Sequence, residues 1–476
     1  MVKYDEKTVL RLTTDILELL TTHYGGGMSE EGFVEGLDAV QRALNDARKW
    51  HEGQMRKSGE PYIFHPLRVS HLAARHWMDF PSIVAALLHD VVEDTPVSIE
   101  YVRSEYGEEV ALLVDGLTKV ESTELSREAT KMETYRKQVL AAIEDVRVLC
   151  LKFWDRIDNL NTINALPAHK QKRIAEETRE IYVPLANHLG MRYVAATLDS
   201  SSLHLLYSRR GKIYNQRVEQ VRQETVSFLR QQRARVVNAC EHEKLGILLK
   251  ERWRPFSIAA AKEAGRGFSA LFTLEAQVDR VMDAYRFLGV LHNLYPPIPG
   301  KLRDHLVVPS HHGYQSLKTT IQAGEKRMRV EITTRKLARF NEAGVLAPGF
   351  EFRRENFRDL MKSLTEGESA FDTQSLMLAS KNIQVYTPKG ESRVLPEGSS
   401  ALDFAFDIHE KLGIHAFRAR INGQTRLLKT RLLDGDKISI EVIDAPSVLP
   451  KWLEWAVTPK ARNTIRRYLR KKVKDC

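Results

Sequence analysis

The chain has 476 residues, of which 43% are hydrophobic and 28% are charged, and its formal net charge is +10. This length exceeds that of an ordinary single domain and predicts roughly two to four domains. The composition is typical of a soluble globular protein. No apolar run approaches the roughly 18 residues that cross a bilayer. The positive charge favours polyanionic partners such as nucleotides, phosphates or RNA.

The N-terminal segment and the cysteines favour a cytoplasmic protein that does not associate with membranes. Charges recur every few residues in MVKYDEKTVL, so this segment lacks the apolar core of a signal peptide. The cysteines Cys150, Cys240 and Cys476 lie far apart and form no CxxC pair. Neither a disulfide framework nor a thiolate zinc site is therefore indicated, and we expect a reducing compartment.

The first 200 residues or so predict an all-α domain. Apolar residues recur with helical spacing over Glu31–Trp50 and Met132–Val146, and prolines and glycines are few there. The first of these helices is followed by a polar loop, His51–Pro66, in which two glycines and two prolines exclude a continuous helix.

The segment Phe80–Thr95 begins as an apolar helix and ends in charged side chains. Its apolar run breaks first at His89-Asp90 and then at Glu93-Asp94. Carboxylates and an imidazole at the end of a buried helix are costly to desolvate unless something compensates them. A divalent metal is the simplest explanation, and the alternative is that the helix reaches the surface and its acidic end is solvated.

Two further polar residues lie where apolar and polar stretches meet. His65 closes the polar loop, and Asp155 follows the apolar start of Val146–Thr162. Together with His89 and Asp90 they would form a site of two histidines and two carboxylates. Such a mixed nitrogen and oxygen set suits Mn²⁺, Fe²⁺, Mg²⁺ or Zn²⁺ and leaves positions open for water.

The rest of the chain predicts a connector and two further domains. Residues 205–240 predict a long charged helix. From 248 to about 374, β-like runs (FTLEAQV, HLVV and MRVEITT) alternate with helical ones such as VMDAYRFLGVLHNLY, which predicts an α+β domain. Residues 382–443 show period-two alternation, turn signals and one helix, LDFAFDIHEKLG, as expected for a small β-grasp module. The segment from Pro459 is strongly basic, which predicts a solvated helix face or tail.

The motifs of the helical domain resemble the HD-type hydrolase domain of the RelA/SpoT family of alarmone enzymes. The matching stretches are HEGQMRKSGEPYIFHP, AALLHDVVEDT, DRIDN and VPLANHLGM. The resemblance implies hydrolysis of the 3′-pyrophosphate of ppGpp or pppGpp, which yields GDP or GTP and pyrophosphate. It also implies that Mn²⁺ is bound by His65, His89, Asp90 and Asp155.

The resemblance implies roles for residues around the metal as well. Glu93 and Asp94 match the acidic pair that orients and deprotonates the attacking water. The positions that match nucleotide-binding residues are Arg56, Lys57, Ser58, Asn159 and Thr162. For Asn159 and Thr162 the alternative is ordinary polarity at a helix end. The family often reads DRLHN where this chain reads DRIDN, and we expect Asp158 to be tolerated because that position is not a ligand.

The second domain resembles the family's nucleotidyltransferase-like synthetase, which transfers pyrophosphate from ATP to GTP or GDP. The matching stretches are YPPIPGKLRDH, GYQSLKTT and VEITTR. Tyr314 matches the tyrosine that stacks on guanine, and Glu331 matches the catalytic glutamate. The family's Mg²⁺-binding aspartate falls at Ala270 and a neighbouring arginine at Glu275, on a strand predicted over Ser269–Val278.

A Mg²⁺ site without this carboxylate should not support pyrophosphoryl transfer, so we expect an inactive pseudo-synthetase kept for architecture or regulation. One alternative is a bifunctional enzyme in which Glu263 or Glu275 replaces the aspartate. Another is a non-catalytic regulator that binds a guanine nucleotide through Tyr314.

The third domain resembles the family's TGS domain through VYTPKG, LPEGSSALDFAFDIHEKLG, ARING and LLDGDKISI. This resemblance implies an RNA or protein partner for the third domain and the basic tail. A histidine of the family pattern falls at Ile414 here, with His415 one place later. The expected segments are a hydrolase domain at 1–204, a helical connector at 205–247, a synthetase-like domain at 248–376, a TGS domain at 380–445 and a basic helical segment at 446–476.

Overall fold

A computed structural model of the protein describes residues 6–25, 28–119, 127–307, 314–347, 382–396, 398–433 and 435–474. The chain folds as two compact units, Met1–Met361 and Lys362–Cys476. The predicted boundary between the second and third domains lies outside the described residues, as do Gly313 of the GYQSLKTT motif and Cys476.

The first part of the larger unit is built from helices, which confirms the predicted all-α domain. Its helices are α1 (Glu6–Tyr24), α2 (Glu30–Trp50), α3 (Phe64–Arg75), α4 (Phe80–Leu88), α5 (Val91–Asp94), α6 (Ile99–Leu117), α7 (Arg127–Glu144), α8 (Arg147–Asn161), α9 (Ala168–Glu177), α10 (Val183–His188) and α11 (Arg192–Leu206).

Helix α4 is the centre of this domain. Asp79 caps its first turn by accepting a hydrogen bond from the Ser82 amide at 3.1 Å, and Pro81 follows where no amide donor is needed. All its residues except Pro81 are buried, and it packs against α2, α3, α6 and α8. It ends at Leu88, so His89 and Asp90 emerge among these neighbours and not at the surface.

The second part of the larger unit is an α+β domain, as predicted. Its five-stranded sheet has the order β1-β2-β5-β4-β3, in which β2 and β5 are parallel and the other neighbours are antiparallel. The strands are β1 (Leu248–Trp253), β2 (Phe272–Val278), β3 (Arg303–Asp304), β4 (Leu317–Ala323) and β5 (Lys326–Thr334). The helices are α12 (Ser208–His242), α13 (Ile258–Glu263), α14 (Phe268–Leu271), α15 (Val281–Leu294) and α16 (Arg335–Ala343).

Two of the strand predictions in this domain are wrong in detail. The strand predicted from Ser269 begins at Phe272, because Gly267 has a φ of +94° and starts the helical turn α14. Ala270 therefore lies in that turn. In the predicted strand HLVV, residues 305–307 are not a strand, because the Leu306 amide donates to the side chain of Asp304 at 3.0 Å and turns the chain. Val308 lies outside the described residues.

The long helix α12, predicted as a connector, also packs into the second domain. Its buried side chains share one core with the sheet; they include Tyr214, Val221, Leu229, Val236 and Cys240. Few positions of α12 are apolar, but they recur on the side that faces the core, which is sufficient to bury one stripe of a helix.

The smaller unit contains two small sheets and helices. The strands β6 (Asn382–Tyr386) and β7 (Ser392–Pro396) pair, and β8 (Ala416–Ile421), β9 (Gln424–Arg426) and β10 (Ile438–Val442) form the order β10-β8-β9. The helices are α17 (Ala401–Ile408), α18 (Glu410–Ile414), α19 (Trp452–Trp455) and α20 (Pro459–Lys474).

The single helix predicted over LDFAFDIHEKLG is wrong, because it is broken in two at His409. That residue is extended, with φ −163° and ψ 139°, and its side chain caps α18. The basic tail is not merely solvated, since Ala461 and Ile465 of α20 are buried in the core of this unit. Across the described part of the chain, we find no helix that is long and apolar enough to cross a membrane.

Within the larger unit, the helical and α+β domains meet at a main-chain joint. The Val345 amide, in the turn after α16, donates to the Leu189 carbonyl at 2.9 Å. Gly344 has a φ of +56°, and a Cβ atom at this position would lie 2.3 Å from the Leu189 oxygen. The joint therefore requires glycine for both its backbone conformation and its close approach.

We expect Gly344→Ala to lower the free energy of unfolding by about 2 kcal/mol or more, because the backbone is strained and the joint must open. Urea denaturation followed by circular dichroism measures this loss. Gly289→Ala in α15 is the matched control, since a Cβ there meets nothing within 4 Å; its effect should be neutral or stabilising by up to about 1 kcal/mol. Equal stability of the two variants would contradict the strained joint.

Candidate active site

The four predicted metal ligands converge at one point in the helical domain. His65 lies in the first turn of α3, His89 and Asp90 follow α4, and Asp155 lies on α8. His65 Nε2 lies 3.4 Å from Asp90 Oδ2 and 3.3 Å from Asp155 Oδ1, and His89 Nε2 lies 3.3 Å from Asp90 Oδ1. One ligand atom each of His65, His89 and Asp155 lie within 4.8 Å of one another. The structure thus brings together all four residues.

The donor set fits a cation, as the state of His89 indicates. Its Nδ1 lies 2.8 Å from the Ala86 carbonyl oxygen, so Nδ1 carries a proton. Its Nε2 is buried and has no hydrogen-bond partner. In a neutral imidazole this nitrogen directs a lone pair at carboxylate oxygens, an arrangement that a metal ion would stabilise.

Both carboxylates of the cluster are held in the ionised form. Burial alone would raise the pKa of Asp90, but His89 and His65 lower this pKa to about 2. Burial likewise opposes ionisation of Asp155, but Lys152 and His65 hold its pKa well below the usual range. Lys152 is itself buried, with its Nζ 2.7 Å from Asp155 Oδ2. The cluster therefore presents two anionic ligands.

Glu93 and Asp94, on the short helix α5, have different surroundings. The Glu93 carboxylate accepts hydrogen bonds from the Lys119 amide at 2.6 Å and from its Nζ at 2.5 Å. Asp94 Oδ2 lies 2.6 Å from the Tyr62 hydroxyl, which is also 2.8 Å from Asp90 Oδ2. Asp94 is therefore linked through Tyr62 to Asp90, a predicted metal ligand, and Glu93 is bound to Lys119.

A cleft of about 350 Å³ lies next to the cluster. All five residues predicted to bind the nucleotide line it: Arg56, Lys57, Ser58, Asn159 and Thr162. Asn159 links the cleft to the cluster, because its Oδ1 accepts from Arg56 at 2.5 Å and its amide nitrogen donates to Asp155. The Thr162 hydroxyl donates to the Asp158 carbonyl at 3.2 Å, a bond typical of a helix end.

Sequence reasoning missed Tyr62 and Lys152 as residues of the site. Each lies three positions before a predicted ligand, Tyr62 before His65 and Lys152 before Asp155. On a helix this spacing puts two side chains on one face, so Lys152 could have been found from it. Tyr62 lies in the turn before α3, and its contact with Asp90 depends on tertiary structure.

In the α+β domain, Tyr314 is covered by cations. The guanidinium carbon of Arg192, from α11 of the helical domain, lies 3.7 Å from the centre of the Tyr314 ring, and Lys318 Nζ lies 4.3 Å from it. Tyr314 is only 5% exposed. Burial and the neighbouring Arg192 lower the pKa of Lys318 to about 8.

Glu331 faces another carboxylate across the sheet. It is paired in register with Glu275 on the parallel strand β2, and Arg252 binds Glu275 at 2.6 Å. Burial raises the pKa of Glu331 to about 7, although Arg252 opposes this rise. Glu263, the other carboxylate considered as a substitute, binds Arg254 at 2.6 Å.

Three family models match the chain. A model of the HD domain matches residues 43–192, a model described as a region found in RelA / SpoT proteins matches 268–348, and a TGS domain model matches 383–441. These matches agree with the helical domain, the α+β domain and the smaller unit that were expected from the motifs.

Curated relatives match along nearly the whole chain. The chain is 34% identical over 481 residues to a guanosine-3′,5′-bis(diphosphate) 3′-pyrophosphohydrolase of Aquifex aeolicus, covering 96% of this chain and 67% of that protein. It is 33% identical to a probable GTP pyrophosphokinase of Mycobacterium leprae, covering 92% and 59%. It is 30% identical to the bifunctional (p)ppGpp synthase/hydrolase SpoT of Escherichia coli, covering 92% and 65%. The chain thus spans three fifths to two thirds of these relatives' lengths.

Metal binding should depend on pH because His65 must lose a proton. Burial lowers the pKa of His65, but hydrogen bonds with Asp155 and Asp158 outweigh this and raise it to about 9. Below pH 9 a cation must displace that proton, so the affinity for Mn²⁺ should fall by up to about tenfold per pH unit from pH 9 to pH 7. Electron paramagnetic resonance of free Mn²⁺ measures this affinity.

A variant of the exposed His169 on α9, His169→Gln, is the control and should keep the same slope. An affinity for Mn²⁺ that does not change between pH 7 and pH 9 would contradict the proposed competition at His65.

Proposed function

Because the chain belongs to the RelA/SpoT family, we propose that its helical domain is a Mn²⁺-dependent hydrolase of ppGpp or pppGpp. The reaction removes the 3′-pyrophosphate and yields GDP or GTP and pyrophosphate. The observation that carries this proposal is the convergence of His65, His89, Asp90 and Asp155 next to the cleft. The substrate class is also supported by the names of the relatives.

In this proposal the buried ligands hold the metal and the cleft holds the nucleotide. A bound divalent cation would lower the pKa of water and neutralise phosphate charge. Arg56 and Lys57 supply further positive charge for the phosphates, and the Arg56 guanidinium offers a planar surface for a base. Ser58 and Thr162 contribute hydroxyl groups to the same cleft.

The geometry favours Asp94 over Glu93 as the acceptor of the proton from water. The Tyr62 hydroxyl lies within hydrogen-bond distance of both Asp94 and the proposed ligand Asp90. Glu93 already accepts two hydrogen bonds from Lys119, from its amide and from its Nζ, so both carboxylate oxygens are engaged. Glu93 then orients the site while Asp94 takes the proton.

We also propose that the α+β domain does not synthesise ppGpp. Ala270 offers no carboxylate, and Arg252 binds the nearby Glu275. The alternative, a bifunctional enzyme, is favoured by the in-register pair of Glu275 and Glu331 and by relatives named as pyrophosphokinases. Incubation with ATP, GTP and Mg²⁺ distinguishes the two, since formation of pppGpp would support the alternative.

The smaller unit and its basic helix α20 remain candidates for binding RNA or a protein partner. Lys460 and Arg467 of α20 contact the same unit, at the Asp407 carbonyl and the Glu410 carboxylate. Part of the basic charge is therefore already used within the protein. We also propose that the activity is cytoplasmic, as expected from the N-terminal segment and the few cysteines.

Removal of one metal ligand should abolish hydrolysis. We expect Asp90→Ala to lower the rate of pyrophosphate release by roughly 1,000-fold or more, because several kcal/mol of charge stabilisation are lost with the metal. Pyrophosphate release from ppGpp with Mn²⁺, and with EDTA, measures this. Asp115→Ala, which removes an exposed carboxylate bound to Lys137, is the control and should stay active. Pyrophosphate release from ppGpp that does not need a metal, or an active Asp90→Ala variant, would contradict the proposal.

Exposure of Tyr314 should strengthen nucleotide binding to the second domain. We expect Arg192→Ala to raise the affinity for a fluorescent GDP analogue about tenfold, because a desolvated cation no longer competes for the ring. Asp90→Ala serves as the background, so that the proposed metal-dependent site contributes less to the binding of the GDP analogue. Arg209→Ala on α12 is the matched control. Unchanged or weaker binding in Arg192→Ala would show that Arg192 does not obstruct the site.

A further inference from the structure

Asp158 is a buried carboxylate on which His65, Arg56 and Arg68 converge. Its Oδ2 lies 2.7 Å from His65 Nδ1 and accepts a hydrogen bond from Arg56 at 3.0 Å. Arg68 donates to Oδ1 at 2.5 Å and to Oδ2 at 3.1 Å. The residue is 1% exposed, so these contacts replace its hydration.

The contact with His65 determines which of its ring nitrogens carries a proton. Because Nδ1 faces a carboxylate, which only accepts hydrogen bonds, Nδ1 must be the protonated nitrogen. When a metal displaces one proton from His65, that proton leaves Nε2, the nitrogen that faces Asp90 and Asp155, and Nδ1 keeps its own. A histidine can bind a metal only through a nitrogen with a free lone pair, so this tautomer is the one that the cluster needs.

The contact with Arg56 links the cleft to the same carboxylate. Arg56 also donates to Asn159, and Asn159 donates to Asp155. The bonds from Asp155 through Asn159, Arg56 and Asp158 to His65 therefore form a chain that closes where His65 meets Asp155. Two predicted metal ligands, His65 and Asp155, and two residues of the cleft, Arg56 and Asn159, therefore belong to one ring of polar contacts.

We propose that Asp158 is a positioning residue that fixes the tautomer of His65 and couples the nucleotide loop to the metal ligands. It does not touch the reacting atoms, and it acts through His65 and Arg56. The effect of Asp158 on substrate binding rests on the proposed function. The effect of Asp158 on metal binding does not depend on the proposed function.

A histidine at position 158 would make fewer of these contacts than Asp158 does. A neutral imidazole has one acceptor nitrogen, whereas the carboxylate accepts from His65, Arg56 and Arg68 at once. It would also leave the two arginines beside a neutral group. The tolerance expected from the sequence concerns an aspartate in place of the family's histidine, and we expect the reverse exchange to lose these contacts.

The test is Asp158→Asn, which keeps the size of the side chain and removes one acceptor and the charge. If the amide oxygen of the substituted side chain stays with the two arginines, the NH₂ group of that side chain faces His65 Nδ1. A donor at this place favours the His65 tautomer with its proton on Nε2. The affinity for Mn²⁺, measured by paramagnetic resonance without nucleotide, should fall roughly 10- to 100-fold. At saturating Mn²⁺, kcat should largely recover while the KM for ppGpp stays raised, because Arg56 is no longer held.

Two companion variants make the result specific. Asp158→Glu keeps the charge and both acceptor oxygens, so it should recover most of the affinity for Mn²⁺. Asp46→Asn removes a carboxylate that accepts from the hydroxyl groups of Tyr101 and Tyr106, away from the site, and should leave this affinity unchanged. Thermal unfolding of each variant identifies a loss that is due to misfolding.

A folded Asp158→Asn that binds Mn²⁺ within about threefold of the original protein would overturn the inference. If this variant does not fold, nitrogen-15 NMR of histidines in the Zn²⁺-loaded original protein is the test, with His65→Gln for assignment. A proton on Nδ1 of His65 supports the inference, and a proton on Nε2 overturns it. Normal Mn²⁺ binding without any ppGpp hydrolysis would instead defeat the proposed function alone.

Discussion

The burial of charge at the end of α4 is the constraint on which the helical domain depends. Asp90 and Asp155 are ionised in a region from which water is largely excluded, and such groups destabilise a fold unless positive charge surrounds them. Lys152 and His65 provide part of it, and a divalent cation would provide more. The start of α3, the end of α4 and the middle of α8 must therefore meet, and this constrains how these helices pack.

The same principle distinguishes the two nucleotide sites that the resemblance implies. In the helical domain the carboxylates converge and the cations surround them. In the α+β domain, Arg252 and Lys318 lie among partly buried groups, and Arg192 enters from the helical domain. Burial raises the pKa of Glu331 to about 7, so this carboxyl group is partly neutral near pH 7. An excess of fixed cations suits a structural junction better than a magnesium site, which needs converging oxygen ligands.

The sequence alone was sufficient for the architecture and for four residues, the predicted ligands, that the structure brings together. These four could be found because each lies where an apolar run ends, and the cleft residues followed from their place in long family motifs. The hydrogen-bond partners could not be found, because Lys119 and Glu93 are far apart in sequence and meet only in the fold. The errors in secondary structure have local causes: Gly267 delays a strand, and His409 divides a helix that apolar periodicity predicts as continuous.

The joint at Gly344 bears on how far the protein is modular. The Leu189 carbonyl, on the turn that leads into α11, has its hydrogen bond from Val345 in the other domain. A minimal hydrolase trimmed after α11 would lose this donor and the cover over that turn. The turn before α11 therefore takes a hydrogen-bond donor from beyond the segment that carries the proposed chemistry. For this reason the α+β domain would support the helical domain whether or not it carries a reaction of its own.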